Sequence, residues 1–285
     1  MEFYHLYPTE FQDLLNLDYK SDSYIGQGNP ASKILIIGKE CAGDEKNYEF
    51  VNNAKIWKTV SPENIENWFD AKWNWEKYHP RQPFKGQLLL KDNRNDIIDN
   101  NNRGTSVTWM AYQYFINLLL PEDMQVRSKQ QLNFYEHCFI TELSSKCMRT
   151  SRKNDETEKS IKQRLSLNGI LAHPFFKQFP IVILGVYRYI DWYKEIPIIQ
   201  NFSSGAMNYK GIIVSQTEYD EKGKDRLPLY KANNNFKKGE FINVHEDADG
   251  KQILLHTNHF VDKYQPRSKV WMKELADLVR PYLNK

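Results

Sequence analysis

Three short segments carry apolar side chains at successive positions instead of alternate ones. They are Lys33–Gly38 (KILIIG), Cys138–Leu143 (CFITEL) and Pro180–Gly185 (PIVILG). A strand that is apolar on both sides must be covered on both sides, which suits a parallel sheet buried between two layers. Gly211–Ser215 and Gln252–Thr257 read as two further strands. Helical patterns fall between them. Thr105 or Ser106 can cap a helix running to Leu120, where Pro121 helps stop it. Asp155 or Thr157 can open another that runs to about Leu171. Ser268 precedes a third, with Trp271, Leu275, Leu278 and Tyr282 on one stripe. Strands alternating with helices predict an α/β fold, a three-layer α/β/α sandwich around a central, mostly parallel sheet.

At 285 residues the chain can bury one large core, and no repeat or linker divides it. A single domain spanning 1–285 is expected. Loop insertions are expected near 56–103, rich in Asn, Asp and Pro, and near 220–240, rich in Lys, Asn and Gly. The longest apolar run is far too short for a membrane span, and the amino terminus lacks the pattern of a signal peptide. Three cysteines, Cys41, Cys138 and Cys147, can neither pair completely nor supply the four thiolates of an iron–sulfur cluster. No cofactor, metal cluster or membrane partner is expected, and a reducing cytoplasm is the implied compartment. A formal charge of +3 is too small to mark a nucleic-acid binder by itself.

Open parallel sheets bind ligands beyond the carboxyl ends of their strands. After the first strand come Gly38, Lys39, Glu40, Cys41, Ala42, Gly43 and Asp44. The glycines permit a tight turn and close approach, and Glu40 or Asp44 could orient a water; the competing reading is an ordinary turn with solvated acids. The second strand ends in Glu142, which could read a polar ligand or simply pair with Lys146. A basic stretch follows, with Lys146, Arg149, Arg152 and Lys153 able to hold phosphates. The last strand runs into His256–Thr257–Asn258–His259, where a neutral imidazole could donate to a developing anion. Tyr48 and Phe50 are placed to stack on a ligand, whereas Trp68, Trp75 and Tyr78 recur at helical spacing and suit packing.

Taken in order, these segments resemble the uracil-DNA glycosylase superfamily. The matching pieces are Ile34–Glu40, Phe139–Leu143, Ile181–Gly185 and Thr257–Phe260. The resemblance implies a uracil-DNA glycosylase-like fold that takes a flipped base into a pocket and cleaves its N-glycosidic bond. It implies that Glu40 orients water, that His259 stabilises the departing base, and that Tyr48 or Phe50 stacks on it. Glu142 stands where the family pattern has Asn, and Phe260 where it has Pro. An ionised carboxylate only accepts hydrogen bonds, so Glu142 implies a base edge that offers donors. The expected partner is single- or double-stranded DNA, or a nucleotide. A non-catalytic nucleic-acid or nucleotide binding module on the same fold is the alternative function. A nucleoside or nucleotide hydrolase using the same bond chemistry is a third.

Overall fold

A computed structural model describes residues 7–17, 24–40, 53, 57, 107–126, 133–146, 148, 151–223, 230–262 and 265–285. The expected insertion near 56–103 lies outside them except for Trp57, whose side chain is fully buried in the core. Four strands form the centre of the sheet: β2 (Ile34–Gly38), β3 (Phe139–Glu142), β4 (Ile181–Leu184) and β8 (Ile253–Thr257). They lie side by side in the order β3-β2-β4-β8, all parallel. Their side chains alternate between two cores. Leu35, Ile37, Phe139, Val182, Leu184 and Leu254 belong to one, with helices α1 (Thr9–Asn16) and α3 (Asp155–Leu165). Ile34, Ile36, Ile140, Ile183, Ile253 and Leu255 belong to the other, with α2 (Val107–Asn117) and α4 (Lys269–Val279). Helices therefore cover both faces of the parallel centre, and the successive apolar positions are explained.

Among the described residues the sheet has eight strands, in the order β1-β3-β2-β4-β8-β7-β5-β6, and its wings are not all parallel. β1 (Gln27–Gly28) runs antiparallel to β3. β7 (Phe241–Asp247) runs antiparallel to β8, and β5 (Met207–Ser215) antiparallel to β7. At the far edge β6 (Tyr230–Asn233) is parallel to β5. The sheet is thus mixed, with its parallel part confined to the centre. The expected loop at 220–240 is corrected in its second half. That half contains β6, a nearly buried Phe236 and a fully buried Glu240. Low apolar content hides these elements because β6 lies at an edge and β7 has one apolar face only, contributing Ile242 and Val244 to the core of α2 and α4.

The helix ends follow local chemistry. Asn154, not Asp155 or Thr157, caps α3 by accepting the Thr157 N–H at 2.8 Å. α3 stops at Leu165 and not near Leu171, because the chain folds back over its last carbonyls. A Cβ on Gly169 would stand 2.3 Å from the Arg164 carbonyl oxygen, a contact that only glycine avoids. Ile170 and Leu171 then reach the core from a separate turn.

Ser268 caps α4 as expected, its Oγ accepting the Trp271 N–H at 3.1 Å. Buried Glu240 completes this cap. Its carboxylate accepts the Ser268 N–H at 2.9 Å, the Ser268 hydroxyl at 2.7 Å and the Lys237 N–H at 2.8 Å. A negative charge at a helix amino end is also favoured by the helix dipole. Replacing Glu240 by Ala removes the acceptor of three part-buried donors and should lower unfolding stability by about 2 kcal/mol in urea titration. Glu240→Gln, which keeps one acceptor, should lose less.

Candidate functional site

The order β3-β2-β4-β8 puts the central reversal of the sheet between β2 and β4. The parallel strand that follows β2 lies on one side, and the one that follows β4 lies on the other. The connections that leave the carboxyl ends of such a pair run in opposite directions, and open α/β sheets bind ligands at this point. Lys39 and Glu40 leave β2 there, and Gly185–Tyr189 leave β4.

Glu40 is half-buried and gripped by two hydroxyls. Ser151 donates to one carboxylate oxygen at 2.5 Å, and the Tyr189 phenol donates to the other. Burial pushes the Tyr189 pKa strongly upward, and the neighbouring Glu40 charge adds to that, so the phenol keeps its proton and stays a donor. Tyr193 packs edge-on against Tyr189, with ring centres 5.3 Å apart, and its own hydroxyl receives the Asn154 N–H at 3.3 Å. The Lys39 ammonium stands 5.9 Å from the centre of the Tyr189 ring, within range of a cation–π attraction.

Glu142 faces the other layer. It is paired in register with Gly38, and its carboxylate lies directly across that glycine. A Cβ on Gly38 would stand 2.2 Å from a Glu142 oxygen. On the same side Tyr112 of α2 is buried, its pKa raised by burial first and by the Glu142 charge second. Glu40 by contrast meets Tyr189, which belongs to the core of α1 and α3. The two expected carboxylates therefore share one end of the sheet but turn to opposite layers.

Arg164 of α3, buried on the side of α1 and α3, donates to the Glu142 carbonyl at 3.1 Å and the Tyr24 carbonyl at 2.8 Å, pinning the end of β3. Sequence reasoning missed this residue. Its signal was the α3 stripe Thr157, Ser160, Ile161 and Arg164, in which the arginine holds a core position.

At the carboxyl end of β8, His256, Asn258 and His259 separate by role. His256 is buried, and its Nε2 sits 2.7 Å from the Tyr187 carbonyl. A carbonyl only accepts, so Nε2 carries the proton and Nδ1 accepts from the Asn243 amide at 3.2 Å. The hydroxyl of Tyr209 donates to the Asn243 oxygen at 3.0 Å and fixes that amide's orientation. Asn258, expected at the ligand, is fully buried and braces the backbone instead. It accepts the Phe241 N–H at 2.8 Å and donates to the Gly239 carbonyl at 2.9 Å. His259 is half-buried, and its Nδ1 lies 3.2 Å from the Val261 carbonyl oxygen and 3.3 Å from the Val261 nitrogen. A Cβ on Gly185 would lie 3.8 Å from the His259 Cα and 3.6 Å from the Ile37 carbonyl, so the ends of β2, β4 and β8 converge here.

Of the expected phosphate contacts, Lys146, Arg152 and Lys153 are exposed on the segment after β3, the same segment that delivers Ser151 to Glu40. Gly43, Asp44, Tyr48, Phe50 and Arg149 lie outside the described residues. Among the described residues no three His, Cys, Asp or Glu side chains cluster as metal ligands, and no helix is long and apolar enough to cross a membrane. An apolar groove lined by Ile34, Ile116, Leu119, Leu120 and Leu283 lies at the opposite, amino end of β2, remote from this chemistry. Comparison of the chain with known protein families, with curated proteins and with solved structures finds no significant match in any of the three.

Two measurements probe this geometry. Gly38→Ala drives a methyl into the Glu142 carboxylate and should cost about 1 kcal/mol, since a flexible side chain can partly yield. In the Gly38→Ala/Glu142→Ala pair that cost should vanish, leaving a coupling that a double-mutant unfolding cycle detects. Burial holds the His256 pKa below its ordinary value, and burial aided by the His256 charge takes His245 down to about 4. Both depress a base, so the unfolded chain binds more protons between about 6.5 and 4. The stabilisation is complete above pH 6.5 and declines as pH falls toward 4. Urea midpoints measured from pH 7 to 4.5 should fall, and less steeply in a His245→Gln/His256→Asn variant.

Proposed function

We propose that this protein is a DNA glycosylase-like hydrolase, cleaving the N-glycosidic bond of a modified or deaminated base turned out of the stack. The observation that carries this reading is the Ser151–Glu40 hydrogen bond. It ties the exposed basic run Arg152–Lys153 to a carboxylate at the sheet's reversal point, so that phosphate-holding charge and a water-orienting group belong to one assembly. Glu40, held at both oxygens, retains further lone pairs for a water molecule. In this reading His259, its Nδ1 held against the Val261 backbone, donates to the departing base anion from Nε2. Flipping brings a glycosidic carbon, hidden in a duplex, within reach of such groups. Glu142, laid against Gly38, is in this reading a wall of the strand end and not the reader of the base.

One observation favours a binding module instead: each Glu40 oxygen already carries a hydroxyl donor. The test is incubation with single- and double-stranded oligonucleotides containing uracil, hypoxanthine, xanthine or alkylated bases. The glycosylase reading expects abasic product from at least one, reduced on the order of 100-fold or more in Glu40→Gln. Absence of abasic product from every substrate, with salt-sensitive binding that survives Glu40→Ala and His259→Ala, would establish the binding module.

A further inference from the structure

Tyr187 is the one non-glycine residue with positive φ among the described residues, at +50°. A bulky side chain in the left-handed region is strained, and a turn that merely needed that conformation would be served by Gly or Asn. The surrounding structure holds it there from both sides. The Tyr187 N–H donates to the Thr257 carbonyl at 2.9 Å, and its carbonyl receives the His256 Nε2–H at 2.7 Å. Strain that is held in place in this way collects at functional positions. Tyr187 lies two residues past Gly185, at the converging strand ends.

Its ring is half-buried, and the exposed Arg188 guanidinium sits 5.2 Å from the ring centre. The Phe241 ring lies 6.1 Å away, tilted by 33°. We infer that Tyr187 is a stacking platform for a nucleobase, with Arg188 supporting it, presented by a backbone that β8 locks into the left-handed conformation. An aromatic face joined to a guanidinium suits a planar π-surface of any base, and stacking of this kind is tolerant of sequence. The assignment rests on the reading above in one respect, that the ligand is a nucleic acid. It assigns the ligand's face to a residue separate from Glu40 and His259.

The probes are two fluorescently labelled single strands of about twelve units, one of thymidine nucleotides and one of abasic sugar-phosphates, followed by anisotropy at low and moderate salt. The full chain should bind the base-bearing strand about tenfold more tightly than the abasic one. Tyr187→Phe should keep that preference, whereas Tyr187→Gly and Tyr187→Asn should erase it and retain the salt-dependent binding to phosphates. Tyr187→Gly should also unfold at an equal or higher urea concentration than the parent, because it relieves the strained φ. Preference that persists in Tyr187→Gly overturns the proposal, as does failure of the parent chain to discriminate the two strands. A Tyr187→Gly variant less stable than the parent overturns it too, since the tyrosine would then be there for packing. None of these readouts involves bond cleavage. A chain that cleaves no modified base yet shows Tyr187-dependent discrimination sinks the hydrolase reading alone.

Discussion

Burial of four parallel strands on both faces is the constraint from which the rest follows. Ile34–Gly38, Phe139–Glu142, Ile181–Leu184 and Ile253–Thr257 present side chains alternately to two apolar cores. A charged group placed in the middle of such a strand would lose its water without a compensating partner, so ionisable chemistry is driven to the strand ends. There Glu40, Glu142 and His259 stand within or just beyond their strands, and each is engaged by neighbouring donors, acceptors or rings. The same burial makes the ends rigid. Arg164 pins the Glu142 carbonyl, Asn258 ties β8 to the turn before β7, and His256 fixes the Tyr187 carbonyl.

The chain displays this frame plainly. Its apolar runs map onto β2, β3, β4 and β8, and Ser268 caps α4 as its position implies. Such features are legible because each arises from neighbours in sequence. The wing of the sheet is less visible, because β7 alternates Asn243 and His245 with Ile242 and Val244, and β6 has a single partner among the described residues. The site is legible in its parts and not in its assembly. Glu40 could be singled out by its distance from Gly38, but its partners Ser151 and Tyr189 are 111 and 149 residues away. Nothing local marks them. Tyr187 had no signal at all, because a tyrosine gives no notice that its φ will be positive.

Asn258 and Glu142 show how a strand-end residue can have the right chemistry and serve the scaffold. An amide with both a donor and an acceptor suits a base edge, yet it equally suits two backbone groups of an adjacent turn, and in Asn258 the backbone has both. The Glu142 carboxylate lies where Gly38 leaves room for it. Position beyond a strand end therefore selects residues that can act on a ligand. Only the direction of the side chain separates those that do from those that hold the site in shape.

Direction also decides from which side a ligand can come. Across Gly38, on the layer of α2 and α4, the approach to β2 is filled by Glu142, with buried Tyr112 beside it. On the layer of α1 and α3, Glu40 is met by Ser151, whose segment is exposed and basic at Arg152 and Lys153. Charge and exposure coincide on that second layer, and the Ser151 hydroxyl joins the exposed basic segment to the carboxylate by a hydrogen bond between residues 111 apart in the chain.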